Sequence, residues 1–100
     1  MAQTFVLHFT GGKYEGGRYA LRPNSELIMG RSGDVEMTMI DTMVSRRHAR
    51  LTTYHGVIVL EDMGSANGTY VNGQRITSHV QLKVGDTIVV GENYLVLAVE

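Results

Sequence analysis

The chain has 100 residues, the length of one ordinary domain, and 43% of them are hydrophobic, near the globular norm. It contains no cysteine, which excludes a disulfide framework and any thiolate metal site, and its formal net charge of −1 argues against general attraction to nucleic acid. No apolar run approaches the roughly 18 residues of a membrane span, and Met1 to Thr10 lack the pattern of a secretory signal, so a single, soluble, cytoplasmic domain over residues 1–100 is expected.

The predicted elements are short strands, taken here in chain order. Thr4 to Phe9 alternates, with Phe5, Leu7 and Phe9 on one face, and Arg18 to Leu21 follows the turn signals at Gly11-Gly12 and Gly16-Gly17. Leu27 to Met29 is a short apolar run that ends at Gly30-Arg31. Asp34 to His55 is the longest stretch without Gly or Pro and the one serious helix candidate. Val35, Met37 and Met39 alternate at period two, however, and Val44, Thr52 and Thr53 add β-branching, so a strand, a loop and the strand Ala49 to Tyr54 are predicted. Val57 to Glu61, Thr69 to Val71, Thr87 to Val90 and Tyr94 to Val99 complete the set, the last apolar on both faces as expected of an interior strand. Asn67-Gly68 and Asn72-Gly73 are type I′ hairpin signals. The fold class is therefore all-β, an antiparallel sandwich or barrel of roughly ten strands.

Three loop segments carry candidate chemistry. Arg31 sits where a strand runs out after Gly30, and its planar guanidinium suits phosphate oxygens. Ser45-Arg46-Arg47-His48 precedes the strand at Ala49 and offers a hydroxyl, a backbone amide and further cations. Arg46, Arg47 and Arg50 form a local positive patch on a near-neutral chain, which favours one small anion over a polyanion. The segment Asp62 to Gly73 is dense in turn formers, and Asn67 can bridge to a peptide backbone. A hydrolytic triad of Ser45 and His48 with Asp41 or Asp62 is disfavoured, because no Gly-x-Ser-x-Gly elbow is present. His8, His48, His55 and His79 are too widely spaced for a metal motif, and no stacking aromatics accompany the arginines.

Gly30-Arg31, Ser45-x-x-His48, Gly64-Ser65-x-Asn67-Gly68-Thr69, Val71-Asn72-Gly73 and the downstream Leu82 to Ile88 with Gly91, in this order, resemble the forkhead-associated (FHA) domain family over about Phe5 to Val99. The resemblance implies a β-sandwich of about eleven mostly antiparallel strands, no catalysis and no cofactor. It implies binding of phosphothreonine in a protein partner, a substrate of a Ser/Thr kinase, with this chain free-standing or part of a larger multidomain protein. By motif, Arg31, Ser45 and Arg46 would hold phosphate and Asn67 the peptide backbone. Gly30, His48, Gly68 and Asn72 would shape the loops, and Gly91, Glu92 and Asn93 would form a specificity loop. One departure is Ala66, where many members carry a phosphate-contacting hydroxyl. That departure keeps open an alternative, a phosphate-independent interaction or self-association module on the same fold.

Overall fold

The computed structural model describes residues 3–100. Its eleven strands are β1 (Phe5–Gly11), β2 (Arg18–Ala20), β3 (Ser25–Gly30), β4 (Met37–Thr38), β5 (Ala49–Tyr54), β6 (Val57–Asp62), β7 (Thr69–Val71), β8 (Gln74–Arg75), β9 (Val80–Gln81), β10 (Thr87–Val90) and β11 (Asn93–Val99). They form a six-stranded sheet in the order β2-β1-β11-β10-β7-β8 and a five-stranded sheet in the order β4-β3-β5-β6-β9. All pairings are antiparallel except the short β3–β4 contact, Met29 beside Met37 and Gly30 beside Thr38. The all-β sandwich and its strand number are as the sequence led one to expect.

The core lies between the sheets, where Leu7, Met29, Leu51, Ile58, Leu60, Ile88, Leu95 and Leu97 are buried. Alternation places these residues inward because successive side chains in a strand point to opposite faces. The last strand departs from expectation. β11 is interior to its sheet, between β1 and β10, yet only its Leu95 and Leu97 side packs on the core, and Tyr94 on the other side is 48% exposed. Central position in the hydrogen-bond ladder does not cover both faces when one face of an antiparallel sheet meets solvent.

The turns sort by backbone sign. Asn72 and Gly73 have φ of 52° and 83° and close a two-residue hairpin between Val71 and Gln74, as a type I′ turn requires. His55-Gly56, with φ of 49° and 79°, does the same between Tyr54 and Val57. Asn67-Gly68 is not a hairpin. Only Gly68 has positive φ, and the pair belongs to the loop that crosses from β6 in one sheet to β7 in the other. The two-residue strands β8 and β9 carry no periodic signal and went unpredicted, while β4 is only Met37–Thr38 and gives way to a long loop.

Strand directions, with the two-residue β4 lying beside the end of β3, gather six connections at one end of the sandwich: β1–β2, β3–β4, β4–β5, β6–β7, β8–β9 and β10–β11. The candidate binding loops are among them. Truncating Leu60 to Ala in the fully buried core should cost about 2–5 kcal/mol through lost transfer energy and the cavity left behind, measured by urea denaturation. A loss below about 1 kcal/mol would mean that the sheets do not meet at this residue.

Candidate functional site

Close packing between β3 and the loop that enters β5 begins the site. A Cβ at Gly30 would lie 2.0 Å from the Arg46 carbonyl oxygen, so only glycine lets the two segments meet. The approach is fixed by backbone bonds: Arg31 N–H donates to Ser45 O at 3.0 Å, Ser32 N–H to Arg46 O at 3.2 Å, and His48 N–H to Met29 O at 2.8 Å. Arg31 Nε–H also donates to Val44 O at 3.0 Å. The guanidinium is thereby held against the β4–β5 loop at Val44, next to Ser45 in the chain, and it forms no salt bridge among the described residues.

His48 is 0% exposed and joins two loops. Its Nδ1 accepts the Ser45 amide at 3.1 Å, and its Nε2 lies 2.8 Å from the Gly68 carbonyl. An accepting Nδ1 places the ring proton on Nε2, which donates to Gly68. Both ring nitrogens are committed to backbone groups, so the imidazole cannot act as a base toward the Ser45 hydroxyl. The imagined triad fails on its other member too. Asp62 accepts Gly64 N–H, Ser65 N–H, the Ser65 hydroxyl and the Thr69 hydroxyl, and Asp41 accepts the amides of Met43 and Glu92 and the Asn93 side chain.

The Ser45 amide, counted from sequence as a phosphate donor, is spent on His48. The hydroxyl is better placed. Ser45 Oγ accepts the Ala66 amide at 3.0 Å, which leaves the hydroxyl proton free to donate outward. Arg46 is exposed, and its carbonyl takes the Ser32 amide. Asn67 is exposed as well, and its Nδ2 donates to Met43 O at 2.9 Å, tying β6–β7 to β4–β5. Arg31, Ser45, Arg46, Ala66 and Asn67 are thus gathered on three interlocked loops.

Several predicted members stand elsewhere. Arg50 is not part of a free cationic patch, since it pairs with Glu61 across the β5–β6 ladder through Nε and Nη2. Asn72 lies at the far end of β7, where it clamps the hairpin to β10 through Asp86 and Thr87. Of the three residues expected to form a specificity loop, Asn93 is 1% exposed, and its Nδ2 donates to Asp41 and Val90 O, so its side chain is turned into the fold. Gly91, with φ of 60°, packs so tightly that a Cβ would lie 2.6 Å from Val44 Cγ2; only Glu92 is open to solvent. Sequence reading missed Asp41, which staples the β4–β5 loop to the β10–β11 turn. Its signal was local, an aspartate accepting the amide two residues on, and such Asx turns are too common to single out one residue.

Burial raises the Asp62 carboxyl, but hydrogen bonds from Ser65 and Thr69 outweigh it and hold the pKa below the usual carboxylate value. A folded pKa below the unfolded one contributes stability that is present above about pH 4 and is lost as pH falls through the folded value. Asp62→Asn should therefore lower stability by about 1–3 kcal/mol at pH 7. The gap from the parent protein should narrow in urea titrations taken below about pH 4. A gap independent of pH would refute the charge argument.

The comparisons with known proteins agree on one family. A model of the FHA domain matches residues 27–91. The FHA domain-containing protein FhaB of Mycolicibacterium smegmatis is 33% identical over 88% of this chain and 56% of its own length, so this chain spans about half of such relatives. A structure solved in a study of phosphothreonine-dependent FHA domain interactions superposes with a TM-score of 0.85, at 34% identity and with 95% of each chain covered. Mycobacterium tuberculosis EmbR, solved in complex with a low-affinity phosphopeptide, superposes with a TM-score of 0.86 at 28% identity, covering 95% of this chain and 24% of that one.

Proposed function

Because this chain belongs to the FHA domain family, we propose that its loop end binds phosphothreonine in a protein partner. The observation that carries the reading is the pairing of Arg31 with Ser45. A guanidinium held by Val44 O, without a carboxylate partner among the described residues, stands beside a hydroxyl whose oxygen is already satisfied and whose proton is free. Both groups are donors, and a phosphate dianion offers only acceptors. Arg46 adds a further cation, and Asn67 keeps its Oδ1 and one amide proton for the peptide backbone. His48, Gly30 and Gly68 set the loops, and Glu92 is the one exposed member of the β10–β11 turn.

This is a recognition role. We read residues 1–100 as one FHA domain, cytoplasmic, acting on a partner phosphorylated by a Ser/Thr kinase and able to serve within a longer protein. Support for one domain comes from a single core cluster shared by both sheets. A setting where kinases act is in keeping with the absence of cysteine and with the fact that no helix of the described residues is long and apolar enough to cross a membrane. A second reading, phosphate-independent association, is favoured by one feature, the methyl side chain of Ala66 where a hydroxyl would add a donor.

Fluorescence anisotropy with a phosphothreonine peptide library should show binding that is absent for the unphosphorylated peptides and weaker for phosphoserine. Arg31→Ala should remove at least about 1.5–3 kcal/mol of binding energy, ten- to hundredfold in Kd, while thermal melts show that the variant still folds cooperatively with only the small loss expected from its bond to Val44 O. Equal binding by Arg31→Ala, or by unphosphorylated peptide, would favour the phosphate-independent reading. Ala66→Thr should tighten phosphopeptide binding by about tenfold if the position faces the phosphate, since a hydrogen bond to a charged group is worth about 1.5–3 kcal/mol. No gain, measured by calorimetry, would place the phosphate away from the β6–β7 loop.

A further inference from the structure

Resting on the phosphothreonine reading, we propose that Arg75 is a second anion-recognition residue, which selects an acidic group flanking the phosphothreonine. Arg75 comes from β8, outside the three loops, and nothing in its sequence setting marks it. The structure brings it to them. β8 runs back from the Asn72-Gly73 turn toward the binding end, with Arg75 opposite Tyr70 and Ile76 N–H donating to Thr69 O at 2.9 Å. Its guanidinium lies over the Gly68 backbone. A Cβ at Gly68 would be 2.6 Å from Arg75 Nε and 2.9 Å from Cζ. Gly68 follows Asn67 directly, so the cation borders the strip where the peptide backbone is to lie.

The setting of Arg75 favours a ligand over a scaffold role. The residue is exposed and forms no salt bridge among the described residues, whereas Arg18 and Arg50 each have a glutamate. Its support is rigid from both sides. Beneath it, the Gly68 carbonyl is held by His48 and the Gly68 amide by Ser65 Oγ. Behind it, Asn72 fixes the hairpin by donating to Asp86 at 3.0 Å and accepting from the Thr87 amide at 2.9 Å. The clamp at the far end of β7 thus serves the binding end by holding the strand that carries Arg75. The backbone that carries Arg75 is therefore fixed, and its guanidinium, which makes no hydrogen bond to the described residues, keeps its planar fork of donors for a carboxylate or a phosphate. Beyond Arg75 the open edge between β8 and β9 continues as a concavity that includes Gln74, Gln81, Lys83 and Asp86, the Asp86 carboxylate being taken up by the Asn72 side chain and the Lys83 amide. The chemistry recognised is an anionic side group, and two sources supply it: Asp or Glu, or a second phosphate.

The test measures Kd by fluorescence anisotropy for one phosphothreonine peptide with neutral flanks and for versions carrying Asp, or a second phosphothreonine, scanned over the three positions on each side. The parent protein should prefer the best Asp peptide to the neutral one by about threefold to tenfold, and the doubly phosphorylated peptide by more if the second source applies. Arg75→Gln should flatten that ratio to near one, and Arg75→Lys should retain part of it. Thermal melts establish that both variants fold. A ratio that persists in Arg75→Gln, or a parent protein indifferent to flanking acid, would overturn the proposal. Failure of the phosphothreonine reading would look different, since the neutral phosphopeptide would then bind the parent protein no better than its unphosphorylated form, and the role of Arg75 would fall with it.

Discussion

A buried imidazole holds the binding end together. His48 sits at the start of β5 with no solvent contact, and its two nitrogens take one backbone group from each of two loops, the Ser45 amide and the Gly68 carbonyl. Loops normally satisfy their backbone with water or with regular structure; here the imidazole does so for a half-buried loop amide and a buried carbonyl, and leaving such a buried group unpaired costs about 1–3 kcal/mol. Neutral histidine is a side chain that can accept from an N–H on one edge and donate to a C=O on the other. The requirement explains why a charged or purely donating residue would not serve. It also removes His48 from any chemistry of its own.

From this junction the rest of the site follows by subtraction. The Ser45 amide is consumed by His48 and its oxygen by the Ala66 amide, so the hydroxyl proton remains. Arg31 gives Nε–H to Val44 and keeps its other N–H groups. Asn67 gives one amide proton to Met43. Each side chain spends part of its hydrogen-bonding capacity on fixing a neighbouring loop and presents the remainder outward. What is left over is rich in donors, and that imbalance is what a dianion can use. Asp62 and Asp41 show the complementary case: their acceptor capacity is turned inward on amides and hydroxyls, which fixes the β6–β7 loop and ties the β4–β5 loop to the β10–β11 turn.

How much of this was legible in the sequence depended on the range of the interaction. Period-two alternation located the long strands, because burial on one face leaves a local trace. The two-residue strands β8 and β9 left none; they exist through pairing with β7 and β6. Gly30 was legible only as a glycine that shapes a loop; its close approach to the Arg46 carbonyl is long-range and left no local trace. Arg31, Ser45 and Asn67 were singled out by order and spacing, and hydrogen bonds tie the three loops that carry them to one another. Arg50 misled because three arginines within five residues look like a patch until the strand register sets one of them opposite Glu61. Asn93 misled in the opposite sense, since a polar residue beside a Gly-Glu turn looks exposed, and its burial comes from Asp41, fifty-two positions away.

Such a site trades contact for order. On the proposed reading its ligand-facing atoms lie on exposed loops, where each charge pair contributes little. Preorganisation compensates, because loops already locked by His48, Asp41 and Asp62 lose little freedom when a peptide arrives. The absence of a hydroxyl at Ala66 removes one strong donor from this small set. On the proposed phosphothreonine reading, fewer contacts to the phosphate itself would leave discrimination to side chains that meet the flanking residues, and these can be recruited from outside the loops. A short strand whose sequence carries no pattern then matters as much as the motif, because the hairpin turn and its clamp decide where that strand delivers its arginine.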